Sequence, residues 1–150
     1  MTAGPVVIIG AGHAGFQLAM SLRQHGFSER IALLNDEGHL PYQRPPLSKA
    51  YLKGTGGPDS LMFRPEKFYS DQKIDLIAGR AVSIDRAARK VLLASGAALD
   101  YGHLVLATGA RNRLLDIPNA NLDSVRYLRT LDESQALRDY IAPGQRVIVI

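Results

Sequence analysis

The alternation of apolar and polar positions divides the first thirty-five residues into three pieces. Val6–Ile9 is an unbroken apolar run between Pro5 and Gly10, the pattern of a short strand buried on both faces of a parallel sheet. From Ala14 to His25 the apolar residues Ala14, Leu18, Ala19 and Leu22 fall on one helical face, and Gly26 stands where a helix would end. Ile31–Leu34 is a second short apolar run. The order β-α-β predicts a parallel pair joined by a right-handed crossover.

After Asn35 the periodicity breaks. The stretch HLPYQRPPLSKAYLKGTGGPDS is rich in Pro and Gly, with one short helical candidate at Leu47–Leu52. Pro65–Gln72 reads as another short helix with proline in its first turn. Strand-like runs follow at Ile74–Ile77, Ala81–Ile84, Lys90–Ala94 and Leu104–Ala107, and the short turns at Asp85–Arg89 and Ser95–Ala97 predict an antiparallel meander. A further apolar run, Val125–Leu128, is expected as a strand and leads into Thr130-Leu131-Asp132-Glu133. That is a capping-box pattern predicting a helix from about Leu131 that stops before Pro143-Gly144. Arg146–Ile150 reads as the beginning of one more buried strand.

Composition narrows the class. A chain of 150 residues is the size of one ordinary domain and buries roughly two-thirds of its unfolded surface. With 46% hydrophobic and 21% charged residues it has the mix of a soluble globular protein. No apolar stretch approaches the roughly 20 residues that a bilayer crossing needs. A start without a basic leader or cleavage pattern gives the expectation of a cytoplasmic protein without membrane contact. The net charge of +4 is scattered along the chain, which suits a solvated surface or a docking face for an acidic partner. It does not form the basic runs interleaved with aromatics that nucleic-acid binding calls for. Cysteine is absent, so these residues carry no disulfide, thiolate metal site or catalytic thiol. His39 and His103 lack metal-ligand spacing, and no metal is expected.

The chemistry concentrates at Gly10-Ala11-Gly12-His13-Ala14-Gly15, which has the G-x-G-x-x-G spacing. Gly10 permits the tight turn out of the strand, Gly12 lets a pyrophosphate approach the backbone, and Gly15 lets the helix lie close on the strand. The helix N-terminus then offers unpaired N–H groups and a positive dipole end to the phosphates. Alone the motif is weak. Here it follows a strand, opens a helix, and is followed by Asp36, twenty-one residues after Gly15, at the end of the second strand, where a carboxylate accepts hydrogen bonds from an adenosine ribose. Asn35 is a second candidate for that role. The motif recognises the ADP half common to NAD and FAD and leaves the choice between them open.

LPYQRPPLSKAYL (Leu40–Leu52) and LVLATGAR (Leu104–Arg111) decide the choice. There the chain strongly resembles the FAD-dependent ferredoxin reductases of bacterial cytochrome P-450 and aromatic-ring oxygenase systems, the putidaredoxin-reductase and palustrisredoxin-reductase group. The resemblance runs from Val6 to Ile150. The P-P-L-S-K segment is specific to it, whereas A-T-G after a buried strand is shared by a wider class of two-dinucleotide flavoproteins. It implies an α/β, Rossmann-like FAD-binding domain with an antiparallel β-meander, of which residues 1–112 are the N-terminal part. Residues 113–150 would begin an NAD(H)-binding domain, with Gly144–Ile150 its first strand, so that the chain is expected to be a piece of a longer protein.

The resemblance also implies site residues. Ala14 would touch the FAD pyrophosphate and Asp36 the adenosine ribose. Arg44 and Lys49 lie in the Pro-rich segment that in relatives passes beside the flavin. Val82 would meet the adenine side through its backbone, Arg129 would reach the cofactor, and Ala107, Thr108 and Gly109 would pack near the dinucleotide. Lys49 is also the one catalytic candidate, since a cation at the flavin edge tunes its potential and holds its geometry. On its own sequence it reads as a solvated lysine. His13, Tyr42, Arg111 and Arg113 receive no role.

The implied activity passes electrons from NADH through FAD to a 2Fe–2S ferredoxin, expected to be acidic. Arg44, Lys53, Arg64 and Lys67 would form part of a basic face for it. Family members that pass electrons from flavin to sulfur carry cysteine close to where this chain has Pro45-Pro46-Leu47-Ser48-Lys49, so here electrons are expected to leave the flavin directly. The competing readings are a rubredoxin reductase, a nitrite-reductase-type flavin subunit, and a non-catalytic flavin-binding module resembling apoptosis-inducing factor.

Overall fold

A computed structural model describes residues 4–141 and 143–150. Among them the elements run β1 (Val6–Ile9), α1 (His13–Gln24), β2 (Ile31–Asn35), α2 (Glu66–Asp71), β3 (Ile74–Ala78), β4 (Ala81–Asp85), β5 (Lys90–Leu93), β6 (Ala98–Asp100), β7 (His103–Leu106) and α3 (Leu131–Tyr140). Short 3₁₀ turns lie at Pro45–Ser48 and Pro58–Leu61. The chain divides into two units, Met1–Tyr42 with Met62–Gly109, and Gln43–Leu61 with Ala110–Ile150.

The first unit is built on the opening apolar run. All four residues of β1 are buried, as a strand without a polar face must be. It is hydrogen-bonded to β2 on one side and β7 on the other, in a parallel sheet of order β3-β2-β1-β7. Val6 stands opposite both Ile31 and His103. Successive side chains of a strand point to opposite faces, and the core divides accordingly. Val6, Ile8, Ile31, Leu33 and Ile74 pack with Phe16, Ala19 and Tyr69 from α1 and α2. Val7, Ile9, Ala32 and Leu34 pack instead with Val91 and Leu93 of the antiparallel sheet β4-β5-β6. The expected β-α-β unit is present and so is an antiparallel meander, but it is made of β4, β5 and β6 alone, while the Ile74–Ile77 and Leu104–Ala107 runs join the parallel sheet as β3 and β7. β6 was not expected, because three residues with one inward apolar side chain leave almost no periodic signal.

Helix ends in this unit are set by local chemistry. Gly26 takes φ 79°, with its N–H on Arg23 O and that of Phe27 on Leu22 O, a Schellman ending. Pro65 keeps an extended ψ of 157° and caps α2 from outside, so the helix begins at Glu66. Arg23 then ties the two helix ends together. Its guanidinium donates to the carbonyls of Phe27, Glu29, Gln72 and Lys73. Phe16 stacks on Phe63 with centroids 4.5 Å apart, and Tyr69 meets Phe16 edge-on at 6.1 Å.

The second unit is irregular apart from α3. Thr130 Oγ1 accepts from the Glu133 N–H at 3.2 Å, and the Glu133 carboxylate accepts from the N–H groups of Thr130 and Arg129, which is the predicted capping box. Three expectations need correction. Leu47–Leu52 is not a regular helix. The backbone closes a 3₁₀ turn at Pro45–Ser48, Lys49 leaves the helical region at φ −130° and ψ −109°, and separate turns follow to Gly54, φ 80°. Val125–Leu128 is not a strand: no described strand pairs with it, and Tyr127 is used instead to accept the Leu115 N–H at its hydroxyl. Arg146–Ile150 likewise pairs with no strand, and Ile148 and Val149 are 88% and 91% exposed. An apolar run becomes a strand only where a ladder partner accepts it.

Two predictions follow from the first unit's core. Replacing Arg23 by Ala strands four carbonyls and is expected to cost about 2–3 kcal/mol in urea unfolding. Tyr69 is buried, its hydroxyl has no partner among the described residues, and burial pushes the phenol up to about 12 against an opposing pull from Arg64. The folded chain therefore keeps that proton where the unfolded chain releases it near pH 10. Stability should hold below pH 10 and fall as pH rises towards 12, by up to roughly 1.4 kcal/mol per unit. Tyr69→Phe is expected to be neutral or stabilising by about 1 kcal/mol near pH 7, with a shallower alkaline fall in the same titrations.

Candidate functional site

The three glycines of the β1–α1 turn occupy different environments. Gly10 takes φ 108°, and a Cβ on it would lie 2.3 Å from the Ala107 carbonyl oxygen. A Cβ on Gly15 would lie 1.9 Å from the Gly10 oxygen. Both positions are closed to any side chain by the protein's own backbone. Gly12 differs: a Cβ there would meet nothing within 4 Å, and its φ of −74° is open to every residue. Nothing within this unit asks for glycine at Gly12, and its lack of a side chain leaves the backbone open to approach from outside.

Gly12 is also the cap of α1. No side chain hydrogen-bonds to the first turn and no acidic residue stands in it. The helix therefore presents its unpaired N–H groups and positive end at an uncovered turn, with Ala14 exposed beside it. His13 is exposed and sits edge-on to Phe63, centroids 4.8 Å apart. An anionic diphosphate fits this cradle.

At the end of β2 the structure separates three neighbouring polar residues. Asn35 donates to His39 O at 2.6 Å and accepts from the Glu37 N–H at 3.2 Å. The Glu37 carboxylate accepts from the Tyr42 hydroxyl. Asp36, between them, is exposed and has no hydrogen bond or ion pair among the described residues. Asn35 and Glu37 are thus occupied in shaping the loop, and Asp36 is the carboxylate available to a ribose.

Ala107 donates its N–H to Ile9 O at 2.8 Å, which brings the exit of β7 beside that of β1. Gly10 touches Ala107 and Thr108, and Gly109 turns the chain away at φ 68°. Gly10, Gly12, Gly15, Ala107 and Thr108 therefore meet at the carboxyl end of the parallel sheet, with Asp36 on the adjoining strand, where ligands of such sheets bind. Val82 lies in β4, 59% exposed, at an irregularity where Ala81 pairs with Leu93 and Ser83 with Leu92.

In the second unit Arg44 donates to Arg129 O at 2.9 Å, so these two expected cofactor residues adjoin. Lys49 is exposed and its ammonium has no partner among the described residues. The side chains that hold this segment escaped sequence reasoning. Ser134 donates to Leu47 O at 2.7 Å, and Tyr51 donates to Gln135 Oε1 at 2.7 Å. The only sequence trace is the helical spacing Leu131, Ser134, Arg138, which marks one face without naming its target. Of the expected basic face, Lys67 is paired with Asp71 at 2.7 Å and Arg64 lies over the Phe68 ring. Among the described residues no cluster of three His, Cys, Asp or Glu side chains is placed to hold a metal, and no helix is long and apolar enough to cross a membrane.

Residues 4–150 match the model of the pyridine nucleotide-disulphide oxidoreductase family. The chain is 51% identical over 146 residues to rhodocoxin reductase of Rhodococcus erythropolis, covering 97% of this chain and 34% of that one. Among solved structures it is similar to the ferredoxin reductase for the CYP199A2 system from Rhodopseudomonas palustris, with TM-score 0.88 and 71% identity over 91% of this chain and 34% of that one. It is also similar to the covalent putidaredoxin reductase–putidaredoxin complex, with TM-score 0.83 and 40% identity over 90% of this chain and 33% of that one. The chain thus spans about a third of the length of these relatives.

The glycine geometry yields a paired test. Gly15→Ala should destabilise the fold by about 3 kcal/mol or more, since backbone must move to admit the methyl group. Gly12→Ala should change stability by less than about 1 kcal/mol while lowering affinity for an adenine dinucleotide. Thermal melts and FAD titration of the two variants check both halves.

Proposed function

The chain belongs to the pyridine nucleotide-disulphide oxidoreductase family, and on that premise we propose that it is the FAD-binding part of an NADH:ferredoxin reductase feeding a cytochrome P-450 or ring-hydroxylating oxygenase. The similarity to the CYP199A2-system ferredoxin reductase carries this reading. The open cradle at Gly12 and the unpaired Asp36 support it.

Each residue has a physical task in this proposal. Backbone N–H groups at the start of α1, with Ala14 beside them, hold the pyrophosphate over Gly12. Asp36 accepts from the ribose hydroxyls. Ala107 and Thr108 form the backbone wall against which Gly10 is pressed, Gly109 turns the chain away beside it, and Val82 serves the adenine through main-chain groups left out of the β4–β5 pairing. Arg44, Arg129 and Lys49 serve the flavin, with Lys49 supplying positive charge where the reduced ring carries negative charge. FAD held by these residues would supply the redox chemistry, coupling the two-electron oxidation of NADH to NAD⁺ and one proton with the one-electron reduction of two ferredoxins. The 150 residues contain no cysteine, so no thiol within them intervenes.

In this reading residues 1–112 are part of the FAD-binding domain and residues 113–150 begin an NAD(H)-binding domain. The partner in this reading is an acidic 2Fe–2S ferredoxin, met by exposed cations such as Lys53, and the protein works in the cytoplasm. In the full-length protein a yellow chromophore, bleached by NADH and reoxidised by a 2Fe–2S ferredoxin, is the expected result. Asp36→Ala should weaken FAD binding by about tenfold, the equivalent of one charge-assisted hydrogen bond. A full-length protein that binds no flavin, or whose reduced flavin reduces no ferredoxin of a 2Fe–2S panel, would remove the assignment.

A further inference from the structure

The segment Gln43–Leu61 carries Lys49 and closes only short turns of its own, with the Leu47 N–H on Arg44 O and the N–H groups of Lys49 and Tyr51 on Pro46 O. Three tertiary ties reach it from residues 129–138. Ahead of the prolines, the Arg44 guanidinium donates to Arg129 O at 2.9 Å. Within the turn, Leu47 O accepts from the Ser134 hydroxyl at 2.7 Å, and Ser134 is 0% exposed. Beyond it, the Tyr51 hydroxyl donates to Gln135 Oε1 at 2.7 Å, an atom that also accepts from Arg138 at 2.8 Å. The Arg138 guanidinium lies 4.9 Å from the centre of the buried Tyr51 ring. Lys49 stands between the second and third of these ties. Its backbone N–H is spent on Pro46 O, and its ammonium, exposed, is committed to nothing among the described residues.

The ties on both sides fix the backbone from which Lys49 projects, and so limit where its flexible side chain can carry the charge. The buried serine is informative here. A hydroxyl taken wholly out of water for one carbonyl in a four-residue turn contributes little to α3 itself, and alanine would favour the helix more. Its effect falls on Leu47, two residues before Lys49.

We infer that α3 is a clamp for the Pro-rich segment, and that Ser134 and the Tyr51–Gln135 pair are positioning residues acting on the flavin through Lys49. The inference rests on the assignment of Lys49 to the flavin. The test is a double-mutant cycle in the full-length, FAD-loaded protein, reading the rate of NADH-driven flavin bleaching at saturating NADH and the flavin midpoint potential. Lys49→Ala is expected to slow bleaching and shift the potential. Ser134→Ala should slow bleaching by about tenfold, as displacement of a catalytic-site group does, and add nothing in the Lys49→Ala background. Tyr51→Phe, which keeps the ring and removes only the hydroxyl tie, should behave alike and carries the test if Ser134→Ala fails to fold. Unchanged bleaching in both positioning variants, with Lys49→Ala slow, overturns the inference alone. So does a slowing that multiplies with that of Lys49→Ala, since it would report general loosening. A Lys49→Ala protein that bleaches at the normal rate overturns the Lys49 assignment and the inference with it.

Discussion

The first unit depends on backbones approaching closer than any side chain allows. The Gly10 carbonyl is pressed by the Cα of Gly15, and the Gly10 Cα by the Ala107 carbonyl, each at a distance where a Cβ would sit inside another atom. This one crowded point fixes the angle at which α1 leaves β1 and the separation of β1 from β7 at their carboxyl ends. The arrangement proposed as an anion cradle follows from it. The helix N-terminus lies at the carboxyl end of β1, with Gly12 in its turn and the Ala107–Gly109 exit of β7 drawn beside it. Gly4 and Gly102 repeat the device at the other end of the same strands, where a Cβ on Gly102 would lie 2.7 Å from the Gly4 Cα. The β1–β7 edge is thus held close at both ends.

Much of this was legible in the sequence because it is local. A strand buried on both faces needs an unbroken apolar run, and Val6–Ile9 and Ile31–Leu34 supply one each. A helix entered from a tight turn needs glycines at fixed offsets, and a capping box needs Thr and Glu three apart; both are spelled out in residue types. The same reasoning misplaced Val125–Leu128 and Arg146–Ile150, because hydrophobicity records a demand for burial and not the presence of a ladder partner.

The tertiary ties were illegible for a different reason. Arg23, Arg44 and Ser134 all spend their donors on backbone carbonyls, and a carbonyl has no residue identity by which a sequence can announce it. Arg23 reaches Gln72 and Ser134 reaches Leu47, across 49 and 87 residues respectively. The choice among Asn35, Asp36 and Glu37 was undecidable for a related reason. Each is chemically able to accept from a ribose, and only the commitment of the outer two to His39, Tyr42 and the loop backbone leaves the middle one unclaimed.

The glycine triad shows how a fold requirement can be told from a ligand requirement. A glycine forced by positive φ or by a clash would be needed even in a chain that bound nothing, so Gly10 and Gly15 testify to architecture. Gly12 has ordinary dihedrals and empty space before it, and an N-cap position gains more from Ser, Asp or Asn than from glycine. Folding alone would favour replacing it. A capping carboxylate or hydroxyl there would satisfy the first-turn N–H groups from within and occupy the space a phosphate needs. Glycine leaves those donors unsatisfied, at some cost in helix stability, and so keeps them available to an outside anion. The middle glycine is therefore the one residue of the motif whose presence argues for the dinucleotide and not merely for the turn.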